Sequence, residues 1–196
     1  MMGDLPDGAT PLTPEEIEGL IPSHISLKQE LNACEQENIL SARLWLLGKR
    51  VAGVAEARFL KELHRRMFDR TWKWAGEYRR SDRNLGVPWQ RISFELEQLC
   101  REVRAWREEE LFSGDELAVR FHHKLVWIHC FPNGNGRHAR LAADLLAVEM
   151  GGQPFTWGQG DLVPVGKCRE TYIQALREAD QGRYEALLAF ARSGAA

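Results

Sequence analysis

The run His129-Cys130-Phe131-Pro132-Asn133-Gly134-Asn135-Gly136-Arg137-His138-Ala139-Arg140 lies between two stretches of helical periodicity, and its proline and glycines forbid one continuous helix through it. Any fold for this chain must end one helix near His129 and begin another near Gly136. Ser113 offers an N-cap for the first helix, over about Asp115 to Ile128, with Glu116 three residues on completing a capping-box pattern. The second helix runs to about Glu149 and stops at Gly151-Gly152. In that geometry the backbone N–H groups of Asn133, Gly134, Asn135 and Gly136 converge with the positive end of a helix dipole and form a cradle for an anion such as phosphate. Arg137 and Arg140, three residues apart, share a helical face and can both reach phosphate oxygens. His129 stands across the loop as a candidate general base, since an imidazole titrates at about 6.5. Phe131 is expected to point the other way, into the core.

The remaining periodicity is also helical. Leu31, Cys34, Asn38, Ala42 and Trp45 fall at three- and four-residue steps, predicting a helix over about Leu31 to Leu47 that stops at Gly48. Phe59, Leu60, Leu63, Met67 and Phe68 mark a second helix, and Leu96, Leu99, Val103 and Trp106 a third over Ile92 to Trp106. Two more are predicted at Lys167 to Ala179 and Tyr184 to Arg192. Trp72 to Trp89 breaks the pattern with Gly76, Gly86 and Pro88 and reads as a loop carrying a short hairpin. The prolines before residue 25 predict an extended arm. The expected fold class is all-α with a small inserted β-hairpin flap. Residues 1–30 would form an N-terminal arm and 31–196 one domain, with a candidate inhibitory helix at 31–48, the flap region at 72–92 and the active-site motif at 129–140.

With 196 residues, the chain is long enough to bury a substantial core as one domain. Its formal charge of -2 gives no global attraction to nucleic acid or to an anionic membrane, so an anion site must be local. Cys34, Cys100, Cys130 and Cys168 are widely spaced, which predicts free thiols rather than a zinc site or a disulfide framework. No apolar stretch is long enough to span a membrane, and Met1 to Pro14 lacks the basic and apolar regions of a signal peptide. The expected location is the cytoplasm, with no nucleic-acid or membrane partner.

The motif resembles that of Fic-domain proteins (the Fic/DOC family), H-x-F-x-[D/E]-G-N-[G/K]-R-x-x-R. The likeness extends to Trp74-Ala75-Gly76-x-Tyr78-Arg79 and to Tyr172-x-x-Ala175-Leu176, Gly182 and Phe190. Leu31-Asn32-x-x-Glu35-Gln36-x-Asn38-Ile39, Leu63-His64-Arg65-Arg66-Met67 and Phe155-Thr156-Trp157 are similar to the group called mobile mystery protein B. The resemblance implies a protein adenylyltransferase that moves AMP from ATP, with Mg2+, to a Ser, Thr or Tyr hydroxyl of a target protein. It implies His129 as general base, Asn133, Gly134, Asn135 and Gly136 at the nucleotide phosphates, and Arg137 and Arg140 as β- and γ-phosphate ligands. Tyr78, Arg79, Arg80, Val87 and Trp89 would form the target-docking flap. Autoinhibition is also implied: Glu37-Asn38 matches the end of the family's inhibitory pattern, Ser26-x-x-x-Glu30 its start, and Glu37 is expected to pair with Arg140. Regulation by a separate protein is compatible with the same likeness.

Two positions depart from the family pattern. Asn133 replaces the metal-binding acid, leaving an amide oxygen as a weak Mg2+ ligand, and Cys130 replaces a proline and reads as a filler beside the base. An enzyme that removes AMP, or a catalytically degenerate nucleotide- or partner-binding module, are the alternative readings. His122-His123 read as hydrogen-bonded core histidines, because no acidic or cysteine partner stands at ligand spacing. Most of the seven tryptophans fall at core-packing positions, leaving Trp89 as the exposed candidate.

Overall fold

A computed structural model of the chain describes residues 11–49, 51–159, 162 and 166–194. Among these, α1 spans Pro14–Ile17, α2 Lys28–Leu46, α3 Ala57–Phe68, α4 Ile92–Glu108, α5 Gly114–Ile128, α6 Asn135–Glu149, α7 Lys167–Ala179 and α8 Glu185–Arg192. The first ten residues of the expected arm lie outside the described residues. The rest of the arm carries α1, whose N-cap Thr13 and Glu16 close a capping box.

Helices α5 and α6 are the central pair. Leu117, Phe121, Leu125 and Ile128 of α5 are buried, as are Ala139, Ala142, Ala143 and Leu146 of α6. The small α6 side chains let the two helices pack closely along their length. Helix α2 packs on α3, α4 on α5, and α7 and α8 on each other, with α8 also reaching α5. The Ser113 hydroxyl accepts from Glu116 N at 3.3 Å and starts α5 where the sequence placed it.

The expected β-hairpin is not present: no strand occurs among the described residues, and residues 78–88 are irregular. The reason is where the flap's hydrogen-bonding groups go. Arg79 N donates to Cys130 O and Val87 N to Ile128 O, both at the end of α5, while Trp89 N donates to Asp82 Oδ1. The carbonyls of Ser81 and Val87 accept from the Arg79 guanidinium. The two arms of the flap are therefore joined through a side chain, and few groups remain for a cross-strand ladder. An isolated antiparallel bridge does occur elsewhere, between Leu20 of the arm and Trp72.

Candidate active site

Helix α5 ends because His129 takes a left-handed conformation, φ 56° and ψ 60°. That geometry costs a non-glycine residue on the order of 1–3 kcal/mol and persists only where its surroundings impose it. Here His129 N donates to Leu125 O at 3.1 Å and the His129 carbonyl accepts from Arg79 Nε at 2.7 Å. The ring Nδ1 lies 3.3 Å from Val126 O, which places the proton on Nδ1 and leaves Nε2 as the basic nitrogen. Burial pushes the imidazole down to about 4; the Val126 carbonyl opposes this, and the Arg79 and Arg83 cations reinforce it. At neutral pH the ring is uncharged, the state a general base requires. Neighbouring Cys130 is buried, and loss of hydration pushes its thiol up to about 12, so it is neutral filler.

The loop from Phe131 to Asn135 is closed by Asn135, whose Oδ1 accepts from Phe131 N at 2.9 Å and whose Nδ2 donates to Phe131 O at 2.7 Å. The Asn135 side chain is thus internal, and only its backbone is available to a ligand. Gly134 precedes α6 with φ +78°, and a Cβ there would collide with the Phe68 ring. Glycine is required both by the backbone conformation and by the space. The N–H groups of the first turn of α6 have no intrahelical acceptor and face the loop, as anion cradles do.

Behind the loop, His64 of α3 accepts from Gly76 N at 2.9 Å through Nδ1, so Nε2 donates to Asn133 O at 3.0 Å. Its ring stacks on Phe131 at 3.7 Å between centroids. One imidazole thus ties the start of the flap to the cradle, and burial keeps it neutral by holding its pKa well below the usual histidine value. Phe131 is fully buried, as expected.

A carboxylate sits over the cradle. Glu35 of α2 is 2% exposed, accepts from Trp72 Nε1 at 2.7 Å and from Asn133 Nδ2 at 2.9 Å and, through its other oxygen, forms an ion pair with Arg137 Nη1 at 2.8 Å. The expected Glu37–Arg140 pair is not formed. The buried face of α2 carries Glu35, Asn38, Ile39 and Ala42, whereas Glu37, two residues from Glu35 and therefore about 200° around the helix, is exposed. Asn38 holds α2 to α3 by donating to Arg66 O at 3.0 Å and accepting from Arg70 N at 2.8 Å. Arg140 is half-buried beside Tyr172, its guanidinium 5.6 Å from the centroid of the ring and interacting electrostatically with the hydroxyl. The same hydroxyl lies 2.9 Å from His122 Nε2. His129, Gly134, Gly136, Arg137 and Arg140 are therefore grouped at one end of the α5–α6 pair, and Glu35, Trp72 and His64 join them without having been assigned a role from sequence. The phase of α2 is the signal for Glu35: it shares the apolar stripe that contains Asn38.

Of the flap residues, Arg80 and Trp89 are exposed, Tyr78 is half-buried, and Arg79 and Val87 are buried. The donor set at the loop does not fit a divalent cation held by the protein. Asn133 Oδ1 faces Gly134 N at 2.7 Å, and Glu35 is already bonded by Trp72 and Asn133 and ion-paired with Arg137. Among the described residues no three acidic, histidine or cysteine side chains are grouped to hold a metal. His122 and His123 are core histidines, bonded to Tyr172 and to Asp180 respectively.

Residues 55–147 match the family model described as the Fic/DOC family. A probable protein adenylyltransferase of Aquifex aeolicus is 35% identical over 85 residues, 43% of this chain and 24% of that protein. A protein adenylyltransferase Fic of Nematostella vectensis is 28% identical over 133 residues, 66% of this chain and 30% of that protein. The chain thus spans less than a third of either relative. Among solved structures, the N-terminal FIC domain of Bep8, a VirB-translocated effector of Bartonella sp. 1-1C, superposes with a TM-score of 0.70 at 16% identity, covering 87% of this chain and 88% of that one. BepC of Bartonella tribocorum, solved with bound AMPPNP, gives 0.64 at 19% identity over 92% and 97% of the two chains.

Proposed function

The chain carries a domain of the Fic/DOC family, and from that premise we propose that it is a protein adenylyltransferase held in a restrained state by Glu35. The observation that carries the proposal is the juxtaposition of a neutral, tautomer-fixed His129 with a helix-start anion cradle whose first arginine is occupied by an internal carboxylate. In the open state the polyphosphate of ATP lies over the first turn of α6, Arg137 meets the β-phosphate and Arg140 the γ-phosphate. His129 Nε2 takes the proton of the target Ser, Thr or Tyr hydroxyl as its oxygen attacks the α-phosphorus in line. Pyrophosphate leaves and AMP stays on the target. Positioning and charge neutralisation supply the catalysis, as is general for phosphoryl chemistry. The negative charge of bound nucleotide raises the His129 pKa from its low resting value and strengthens it as a base.

Glu35 is an anion in the place where a phosphate oxygen would bind Arg137. The amide at Asn133 makes this tolerable, because a carboxylate there would face Glu35 and repel it. Target segments dock along the exposed part of the flap, Asp82 and residues 84–86 with Arg80 and Trp89, in the cytoplasm; regulation by a separate protein would act by drawing α2 away from the cradle. No step is assigned to Mg2+, whose ligands would have to come mainly from the nucleotide itself.

Incubation with α-labelled ATP and cell lysate tests the proposal, comparing wild type, Glu35→Gln, Asn133→Asp and His129→Ala. Label on protein is expected from Glu35→Gln and Asn133→Asp, little from wild type and none from His129→Ala. Release of AMP from a modified protein without any labelling would point to removal chemistry. Nucleotide binding without either would leave a binding module.

A further inference from the structure

Arg79 was expected on the docking surface of the flap, yet its side chain is fully buried. Its guanidinium is spent on backbone carbonyls. Nε donates to His129 O at 2.7 Å, Nη1 to Ser81 O at 2.9 Å and Nη2 to Val87 O, with Ile128 O at 3.5 Å. Its backbone N–H takes the next carbonyl, Cys130 O, at 3.0 Å. One residue therefore captures two consecutive carbonyls at the point where α5 turns left-handed. The nearest acid, Asp82, lies 3.9 Å away and is largely exposed, so an ion pair is not what holds the cation. Gly86, at φ +97°, lets the flap backbone close on this arrangement: a Cβ there would come within 3.0 Å of both His129 Cβ and Arg79 Nη2.

A buried guanidinium without a carboxylate at hydrogen-bond distance is costly to desolvate, and an apolar side chain would fill the space at less cost. What an apolar side chain cannot do is supply donors to the last carbonyls of a helix, which have lost their intrahelical partners. We propose that Arg79 is a positioning residue for the reaction: by clamping the His129 carbonyl and gathering Ser81, Val87 and Ile128 around the same cation, it fixes the imidazole in one orientation beneath the flap. This rests on the transfer reading for its kinetic consequence. Its structural consequence, a single orientation and tautomer for His129, stands apart from that reading.

The test uses the full chain in the Glu35→Gln background, with Arg79→Lys and Arg79→Met. The readouts are kcat and KM for ATP in protein labelling and the imidazole nitrogen shifts of His129 by NMR. Arg79→Met is expected to lower kcat by about 100-fold with KM for ATP within about threefold, and to turn the His129 ring from the Nδ1–H form to a mixture of tautomers. Arg79→Lys, which keeps one donor but loses the fork, is expected to lower kcat by about tenfold and to show the same mixture in part. Should Arg79→Met not fold, the lysine variant decides. Unchanged kcat, or kcat and KM moving together while the His129 nitrogens stay as in the parent, would overturn the proposal. If the parent transfers nothing, the transfer reading fails, and the NMR comparison alone still decides whether Arg79 sets the His129 ring.

Discussion

Replacing Glu35 by Gln should tighten nucleotide binding while making the protein less stable. In the resting chain Arg137 forms a 2.8 Å ion pair with Glu35 Oε2, and ATP can use that guanidinium only after breaking it. A close, largely buried contact between two charged groups is taken as about 1.5–3 kcal/mol, which corresponds to about 10- to 150-fold in the nucleotide dissociation constant. Gln keeps an oxygen for Trp72 Nε1, which is otherwise buried without a partner, but turns an amide towards Arg137 in place of the anion. The fold then loses roughly 1–3 kcal/mol, or about 2–12 °C in Tm for a domain of this size. Titration calorimetry with a non-hydrolysable ATP analogue and a thermal melt on the same samples read both quantities. Glu35→Ala should show the same gain in affinity and a larger fall in Tm, because the Trp72 N–H then loses its acceptor. An affinity for Glu35→Gln within about threefold of wild type would refute the claim that this carboxylate competes with phosphate.

Three further outcomes follow from the buried polar groups and the loop geometry. Burial depresses His122 to about 3 and both His129 and His138 to about 4, below the unfolded value, so their stabilising contribution is complete above about 6.5 and is lost as pH falls towards those folded values. At about pH 5.5 each costs about 1.4 kcal/mol, and Tm should fall by roughly 8–16 °C relative to about pH 7.5; a Tm flat across this range would contradict the burial of these rings as neutral groups. Asp144 is raised to about 6 by burial while accepting from Phe155 N at 3.1 Å and Trp157 Nε1 at 2.8 Å. Asp144→Asn should leave Tm unchanged or higher at neutral pH, because the acceptor stays and a buried charge goes, whereas Asp144→Leu should cost about 2–5 kcal/mol by orphaning both donors, measured by denaturant unfolding. Gly134→Ala should abolish measurable ATP-analogue binding in the Glu35→Gln background, because φ +78° and the Phe68 ring together displace the start of α6; retained affinity would place the nucleotide elsewhere.

Much of the helical frame was legible because helix signals are local. Ser113 caps α5, Gly151 follows α6, and Lys167–Ala179 is helical with the boundaries its sequence gives. The motif was legible for the same reason, since Gly134, Arg137 and Arg140 lie within two turns of one another at the start of α6. The flap was not. Its fate depends on Arg79 finding carbonyls of α5 some fifty residues away, and nothing in the alternation of residues 78–89 encodes that. The choice between Glu35 and Glu37 was available in principle, because helical phase puts Glu35 on the stripe with Asn38 and Ala42, but matching a short inhibitory pattern points to the exposed neighbour instead. The Glu35 partners Asn133 and Trp72 lie 98 and 37 residues away in sequence, so the ion-pair network over the cradle is a product of the tertiary fold.

The central claim is that an opened cradle transfers AMP with His129 as the base. The most direct measurement supplies the purified Glu35→Gln chain with ATP labelled either at the α- or at the γ-phosphate, in the presence of a hydroxyl-bearing target or its own hydroxyls, beside Glu35→Gln/His129→Ala. Retention of the α-label on protein, release of the γ-label as pyrophosphate, and loss of labelling in the double variant with ATP-analogue affinity preserved are the predicted results. Retention of the γ-label, or undiminished α-labelling without His129, would contradict it.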